Sequence, residues 1–219
     1  MDNEIENMRM MLEEAGAMDI PVYIKRLRNN VKDIDTFQDF YCEGRVALMF
    51  LKHNFLVTMR EKPDLRININ HEQFYAEVKH FRLKKQDIID DAKMLEAKDE
   101  LVEYGNTVPL EIDPAWLQVA KVAKAKKDQY QDGAPNILVI WSDSHNCVED
   151  IEIETAVNDI DKEVYANKIQ GLKKLNGILL IQKCFNFRKQ RNVYFFPVKN
   201  PFVALNTELL IAINAITIW

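Results

Sequence analysis

Cysteine is scarce in this 219-residue chain. Cys42, Cys147 and Cys184 are an odd number with no metal-ligand spacing, which excludes a disulfide scaffold and a zinc framework and leaves free thiols in a reducing compartment. His53, His71, His80 and His145 show no metal-site spacing either, and no Ser-His-Asp pattern appears. Six glycines are too few and too scattered to build a Gly-rich phosphate loop. No apolar run approaches the ~20 residues that would span a bilayer, so no membrane partner is implied. The opening stretch, MDNEIENMRMMLEEAG, is acidic and lacks the basic start and apolar core of a signal peptide. A cytoplasmic protein is therefore expected. Internal repeats and low-complexity segments are lacking as well.

What is present suits a globular chain. Hydrophobic residues make up 47% and charged residues 29%, enough of the former to bury a core. The net charge of −5 argues against a general nucleic-acid coat, but it is unevenly spread. Residues 143–163 carry eight acids against Lys162 alone, whereas residues 168–199 carry eight bases and no acid. Such asymmetry can build a basic face, although solvated helix and hairpin surface would show it too.

Periodicity orders the elements. Residues 2–30 read as helical with a break near Gly16 and Pro21. Residues 35–53 form a stronger helix, with Phe37, Phe40, Tyr41, Gly44, Ala47, Leu48 and Leu51 as its apolar stripe and Asp35 or Thr36 as its cap. FLVTMRE (55–61), DLRINI (64–69) and QFYAEVKHF (73–81) are rich in β-branched and aromatic residues and predict three strands, the last two joined by a turn at Asn70-His71. A charged helix is expected over 86–104. A second is expected over 113–133, opened by Asp113 and Pro114 and stopped by Gly133. NILVIW (136–141) has the continuous apolar character of a buried strand. A helix over about 155–174 and strands at 177–183 and 192–198 follow, with a basic CFNFRKQR connection between the strands. Mixed strands and helices make an α/β class the natural expectation.

One feature conflicts with a bland reading of the second and third strands. Side chains alternate faces along a strand. Tyr75, Glu77, Lys79 and Phe81 thus share one face, and Phe74, Ala76, Val78 and His80 the other. A turn symmetric about Asn70-His71 sets Asp64 directly across from Glu77, with Cβ atoms ~5 Å apart. Two carboxylates at that distance repel unless a cation lies between them or one holds a proton. A hard divalent ion such as Mg²⁺ suits an all-oxygen site and commonly takes substrate phosphate as a further ligand. Lys79 projects from the Glu77 face, where it can orient water or stabilise charge developing on phosphate. Asp, Glu and Lys in this arrangement fit metal-assisted phosphodiester hydrolysis.

Pro63-Asp64 followed by Glu77-Val78-Lys79 resembles the PD-(D/E)XK nuclease superfamily, whose fold is restriction-endonuclease-like. EGRVALMFLKHNFLVTMREKPDLRI looks like that superfamily's first core helix, with its acidic residue at Glu43, leading into the first two strands. The match is strongest over residues 40–82 and less specific over the Asp113 helix and NILVIW. The resemblance implies an αβββαβ core with a mixed central sheet, over 34–142 of one domain spanning 1–219. Residues 1–33 would be a helical extension, 83–112 an insertion and 143–219 a C-terminal α/β addition. It also implies a Mg²⁺ or Mn²⁺ ion held by Asp64, Glu77 and the Val78 carbonyl, with Glu43 contributing directly or through water. Helical geometry puts Glu43 on the flank of the apolar stripe, neither fully buried nor opposite the core. The implied activity is endo- or exonucleolytic cleavage, with DNA the favoured polymer. Candidate backbone contacts are Lys121, Lys124 and Lys127 on the Asp113 helix and Arg188, Lys189 and Arg191 in the basic connection. A homodimer is compatible with this reading. The alternative is a non-cleaving module on the same scaffold that binds nucleic acid or protein. No clear Gln-x-x-x-Tyr motif follows; DQYQ around Gln129 offers only a polar contribution.

Overall fold

A computed structural model describes residues 1–82, 92, 93, 96, 113–143, 150–166, 168–183, 191–199 and 201–217. Of the helix expected over 86–104, only residues 92, 93 and 96 are described, and most of the proposed insertion lies outside the described residues. So do Arg188 and Lys189.

Three helices come first: α1 (Asp2–Glu14), α2 (Ile20–Asn29) and α3 (Ile34–Lys52). Strands β1 (Leu56–Met59), β2 (Leu65–Ile69) and β3 (Glu72–Phe81) follow, then α4 (Ala115–Ala125), β4 (Asn136–Ser142) and α5 (Asp150–Tyr165). A short 3-10 helix (Gln170–Lys174), β5 (Leu175–Lys183), β6 (Arg191–Pro197) and α6 (Thr207–Asn214) complete the described chain. The strands form one mixed sheet in sequential order. Pairs β1–β2, β2–β3 and β5–β6 are antiparallel, while β3–β4 and β4–β5 are parallel. Among the described residues, no helix is long and apolar enough to cross a membrane.

Alternation along the strands splits the core in two. Ile137, Val139 and Trp141 of β4 face one layer with Val57, Ile67, Phe74 and the α1–α3 helices. Leu138 and Ile140 face the other, with α4 and α5. All of β4 is buried, as its unbroken apolar run requires. The N-terminal helices press close because α3 carries Gly44 at their contact. A Cβ there would lie 2.3 Å from the Tyr23 hydroxyl and 2.7 Å from the Met8 sulfur. Residues 1–33 therefore contribute to the main core.

Several element ends differ from the periodic reading. Asp33, not Asp35 or Thr36, caps α3, accepting from the Thr36 amide at 3.2 Å and its hydroxyl at 2.6 Å. The helix expected over 113–133 stops at Ala125, and Gly133 (φ +73°) serves a turn before β4 instead. Asp113 does not cap it; its carboxylate binds Lys121 and its carbonyl accepts from Gln118. The helix expected over 155–174 runs from 150 to 165 and gives way to the 3-10 turn, and α6 was not anticipated.

Candidate metal and nucleic-acid site

The hairpin turn at Asn70-His71 has both residues at positive φ, 48° and 71°. That is the twist two-residue hairpins favour. It sets Leu65 opposite Ala76, the register that places Asp64 beside Glu77. β2 starts only at Leu65, preceded by Pro63, which has no amide proton to donate to a ladder. β3 continues through Phe81, so its second half has β4 on one side and no strand on the other. The Val78 amide, deprived of a strand partner, donates to Asp64 Oδ2 at 2.8 Å. This open edge is where charged side chains gather.

A cavity of about 450 Å³ lies along it, with Glu43, Asp64, Glu77, Val78 and Lys79 all in its wall. Glu43, Asp64 and Glu77 are only 5%, 5% and 1% exposed, so the three acids are core residues by accessibility. Glu43 is thus buried, a correction to its expected flank position, because α2 closes over it and brings Arg26. Arg26 Nη2 donates to Glu43 Oε1 at 2.9 Å and stands 3.7 Å from Asp64 Oδ1. Its Nη1 donates to the Arg60 carbonyl at 2.7 Å, and its guanidinium covers the Phe40 ring. Lys126 reaches Glu77 from just past the end of α4 and forms an ion pair with it. With its amide nitrogen turned to the carboxylate, Gln129 lies 2.6 and 2.9 Å from the two Glu77 oxygens.

These cations do not fully compensate the acids. Burial, then repulsion from Asp64, raises the Glu77 pKa to about 7 despite Lys126. Burial and Asp64 push Glu43 well above the carboxylate range, against the pull of Arg26. Asp64 is raised by burial too, with the Val78 amide resisting. Glu43 Oε2 is buried without a hydrogen-bond partner.

Lys79 is placed differently from its two predicted companions. Its ammonium, in the same cavity wall, stands 3.9 Å from Asp39 of α3. His80 leaves the other face of β3, as alternation requires. It is not merely packed, since its Nε2 meets Asp143 at 2.8 Å and its Nδ1 lies 3.5 Å from Asp39. Arg82 holds Asp39 through two bonds of 3.0 and 2.6 Å.

The expected backbone-contacting bases fare unequally. Lys121 is paired with Asp113, and Lys124 bridges to Asp159 (3.1 Å) and Glu163 (2.8 Å), tying α4 to α5. Lys127 packs against Gly171. Arg191 opens β6. Sequence reasoning missed Arg26 and Lys126, and offered Gln129 only as a polar contribution from the DQYQ stretch. Lys126 was passed over because the helix expected over 113–133 in fact stops at Ala125 and leaves it in the following loop. Arg26 had no local signal, because it reaches the acids only through tertiary packing of α2.

Among the described residues, no group of three or more His, Cys, Asp or Glu side chains stands ready-made around one metal position. The donor set nonetheless suits a hard cation. It is all oxygen, it contains a buried carboxylate oxygen without a hydrogen-bond partner, and its three acids outnumber the two cations, Arg26 and Lys126, that contact them. Comparison with family models, curated proteins and solved structures returns no match to the chain.

Proposed function

We propose that the protein is a Mg²⁺- or Mn²⁺-dependent nuclease of the PD-(D/E)XK kind, cutting phosphodiester bonds of nucleic acid, with DNA the favoured substrate. The observation that carries the reading is the meeting of Glu43, Asp64 and Glu77, buried and under-compensated, at the one open edge of β3. Burying ionised carboxylates is costly unless something binds them. Strained, pKa-shifted groups in a cavity mark a functional site more often than a structural one. The order α3, β1, β2, β3, α4, β4 and the antiparallel-then-parallel pairing support a restriction-endonuclease-like core.

Asp64, Glu77 and the Val78 carbonyl would hold the metal, with Glu43 as an accessory ligand. When bound, the ion supplies Lewis acidity at the scissile phosphate and a water of lowered pKa. Asp64 is fixed through Oδ2 by the Val78 amide, which leaves Oδ1 turned toward Arg26 at 3.7 Å. Lys79, exposed at the cavity mouth, offers its ammonium to the phosphate or the attacking water. Arg26 holds Glu43 and Asp64 against each other's repulsion. Lys126 and Gln129 orient Glu77.

The test is incubation with single- and double-stranded DNA and RNA, with EDTA or with Mg²⁺ or Mn²⁺. Cleavage of at least one polymer only with metal is expected. No cleavage of any polymer under any metal would leave the non-cleaving binding module as the better reading.

A further inference from the structure

Most lysines described on the α4–α5 side of the sheet are neutralised. Lys121, Lys124, Lys126 and Lys174 each contact a carboxylate. Around a cavity of about 600 Å³ where the end of α5 meets the basic run, the pattern reverses. Lys162, Lys173 and Lys199 line it, and none of the three makes an ion pair among the described residues. Asp161, the acid in its wall, accepts the Lys199 amide on Oδ1 at 2.8 Å, and its Oδ2 is buried without a hydrogen-bond partner.

Two large rings stand in the open beside these ammoniums. Tyr165, on the cavity wall at the last position of α5, is 90% exposed, and Phe202 is 63% exposed. Phe202 is held in place rather than loose: its amide donates to the Lys173 carbonyl at 2.7 Å, and the Lys173 ammonium lies 5.6 Å from its ring centroid. Exposing this much aromatic surface is unfavourable in water, and flanking unpaired cations select an anionic partner with flat apolar faces. Unpaired bases on a phosphate backbone have that chemistry, whereas a duplex hides its base faces in the stack.

The two cavities have no lining residue in common, but one loop touches the surroundings of both. The loop after α4 sends Lys126 to Glu77, while its next residue, Lys127, rests its Cβ against Gly171, two residues before Lys173.

We propose that this cavity binds single-stranded nucleic acid, with Tyr165 and Phe202 stacking on bases and Lys162, Lys173 and Lys199 meeting phosphates. The inference rests on the nuclease reading only in naming the strand form of its substrate. The binding itself needs neither metal nor cleavage.

The test is anisotropy of labelled oligo-dT and oligo-rU in EDTA, against a hairpin duplex of equal charge, over a range of salt. Wild type should favour the single strands. Tyr165→Ala with Phe202→Ala should weaken single-strand binding by about 5- to 150-fold per ring that stacks. Replacing the three lysines with Gln should reduce the slope of log K against log salt by up to roughly 0.7 per lost contact. All these side chains lie at the surface, so circular dichroism melting should be unchanged and certify the fold. Binding within twofold of wild type in the ring variant, or a duplex that outcompetes the single strands, would overturn the proposal. Ring-dependent binding by a protein that cuts nothing with metal would sink the nuclease reading and leave this one standing. Metal-dependent cutting of duplex, indifferent to the ring variant, would do the reverse.

Discussion

Two charged clusters lie one helical turn apart under α3, and they are built from the same pair of elements. α3 contributes Asp39 to one and Glu43 to the other; β3 contributes His80 to one and Glu77 to the other. Burial penalises the charge in both. At Asp39 it is overcome, because hydrogen bonds from His80 and Arg82 hold the carboxyl down at about 2. Asp143 and Asp39 in turn raise the His80 pKa against the burial that would lower it. At Glu77 burial prevails, and the carboxyl rises to about 7 with a lysine in contact. Both clusters border the same cavity, but the first holds its carboxyl ionised with its own cations, whereas the second has acid in excess. Charged residues in a strand are therefore not the signal of function; the direction in which their environment drives the proton is.

Removing acid should give the largest contrast between the clusters. Asp64→Asn or Glu77→Gln should lower metal-dependent cleavage by about 10²–10³-fold or more, with the fold retained. Asp39→Asn, in the compensated cluster, should leave metal binding in place and lower thermal stability instead, since it weakens the two bonds from Arg82, which keeps Asp35, and removes an acid that faces His80. Titration with a luminescent lanthanide alongside cleavage rates would check both. Metal-dependent cleavage at the wild-type rate in either acid variant would break the distinction.

The two lysines sharpen it further. Lys79→Ala should slow turnover by about 10²-fold while metal-free stability stays near wild type, because its only described anion is Asp39 at 3.9 Å. Arginine should rescue poorly, as a planar fork does not fill the place of a compact ammonium. Lys126→Ala should do the opposite to stability, costing roughly 1–3 kcal/mol without metal by leaving buried Glu77 short of its cation. Urea unfolding in EDTA measures this directly. Equal losses of stability in the two variants would mean that both lysines are structural.

Much of this was legible in the chain, for local reasons. Strand positions and the facing of Asp64 and Glu77 follow from period-two alternation and from an Asn-His turn that tolerates positive φ. β4 was readable because a buried parallel strand is apolar on both faces. The burial of Glu43 was not, since helical periodicity orders one helix's faces and says nothing of α2 laid across it. Arg26 and Lys126 were hidden for the same reason: each reaches its acid across a long stretch of sequence. The α4 end was misplaced because Lys126 to Gly133 keeps helix-compatible residues after the helix has stopped. The proposal of a restriction-endonuclease-like core rests on the motif and the element order.

The smallest expected effect is also the most direct reading of the two clusters, because their linkage to pH has opposite signs. Glu77 has a folded pKa of about 7 against an ordinary 4.5, so between those values the folded chain keeps a proton that the unfolded chain has released. Stability from this source is complete below pH 4.5 and falls as pH rises to about 7. Glu43 and Asp64, also raised, act in the same direction. Asp39, lowered from 3.8 to about 2, contributes stability that is present above pH 3.8 and lost as pH falls toward 2. The other described carboxylates with lowered values, Glu6 and Asp33, likewise act at the acid end. His80 is raised above 6.5, so its contribution is lost only as pH climbs past that value. The window from 4.5 to about 6.5 therefore belongs to Glu43, Asp64 and Glu77. Urea unfolding in EDTA across it should show stability declining with pH in the wild type. Glu77→Gln should flatten that decline, whereas Asp39→Asn should leave it alone and alter the curve below about pH 4 and, through His80, above about 6.5. Saturating Mg²⁺ should reverse the wild-type slope, since the metal binds the ionised acids and stabilises the folded form by mass action. A Glu77→Gln slope equal to that of the wild type would show that Glu77 is already ionised and paid for by Lys126, making it a second compensated cluster rather than a site.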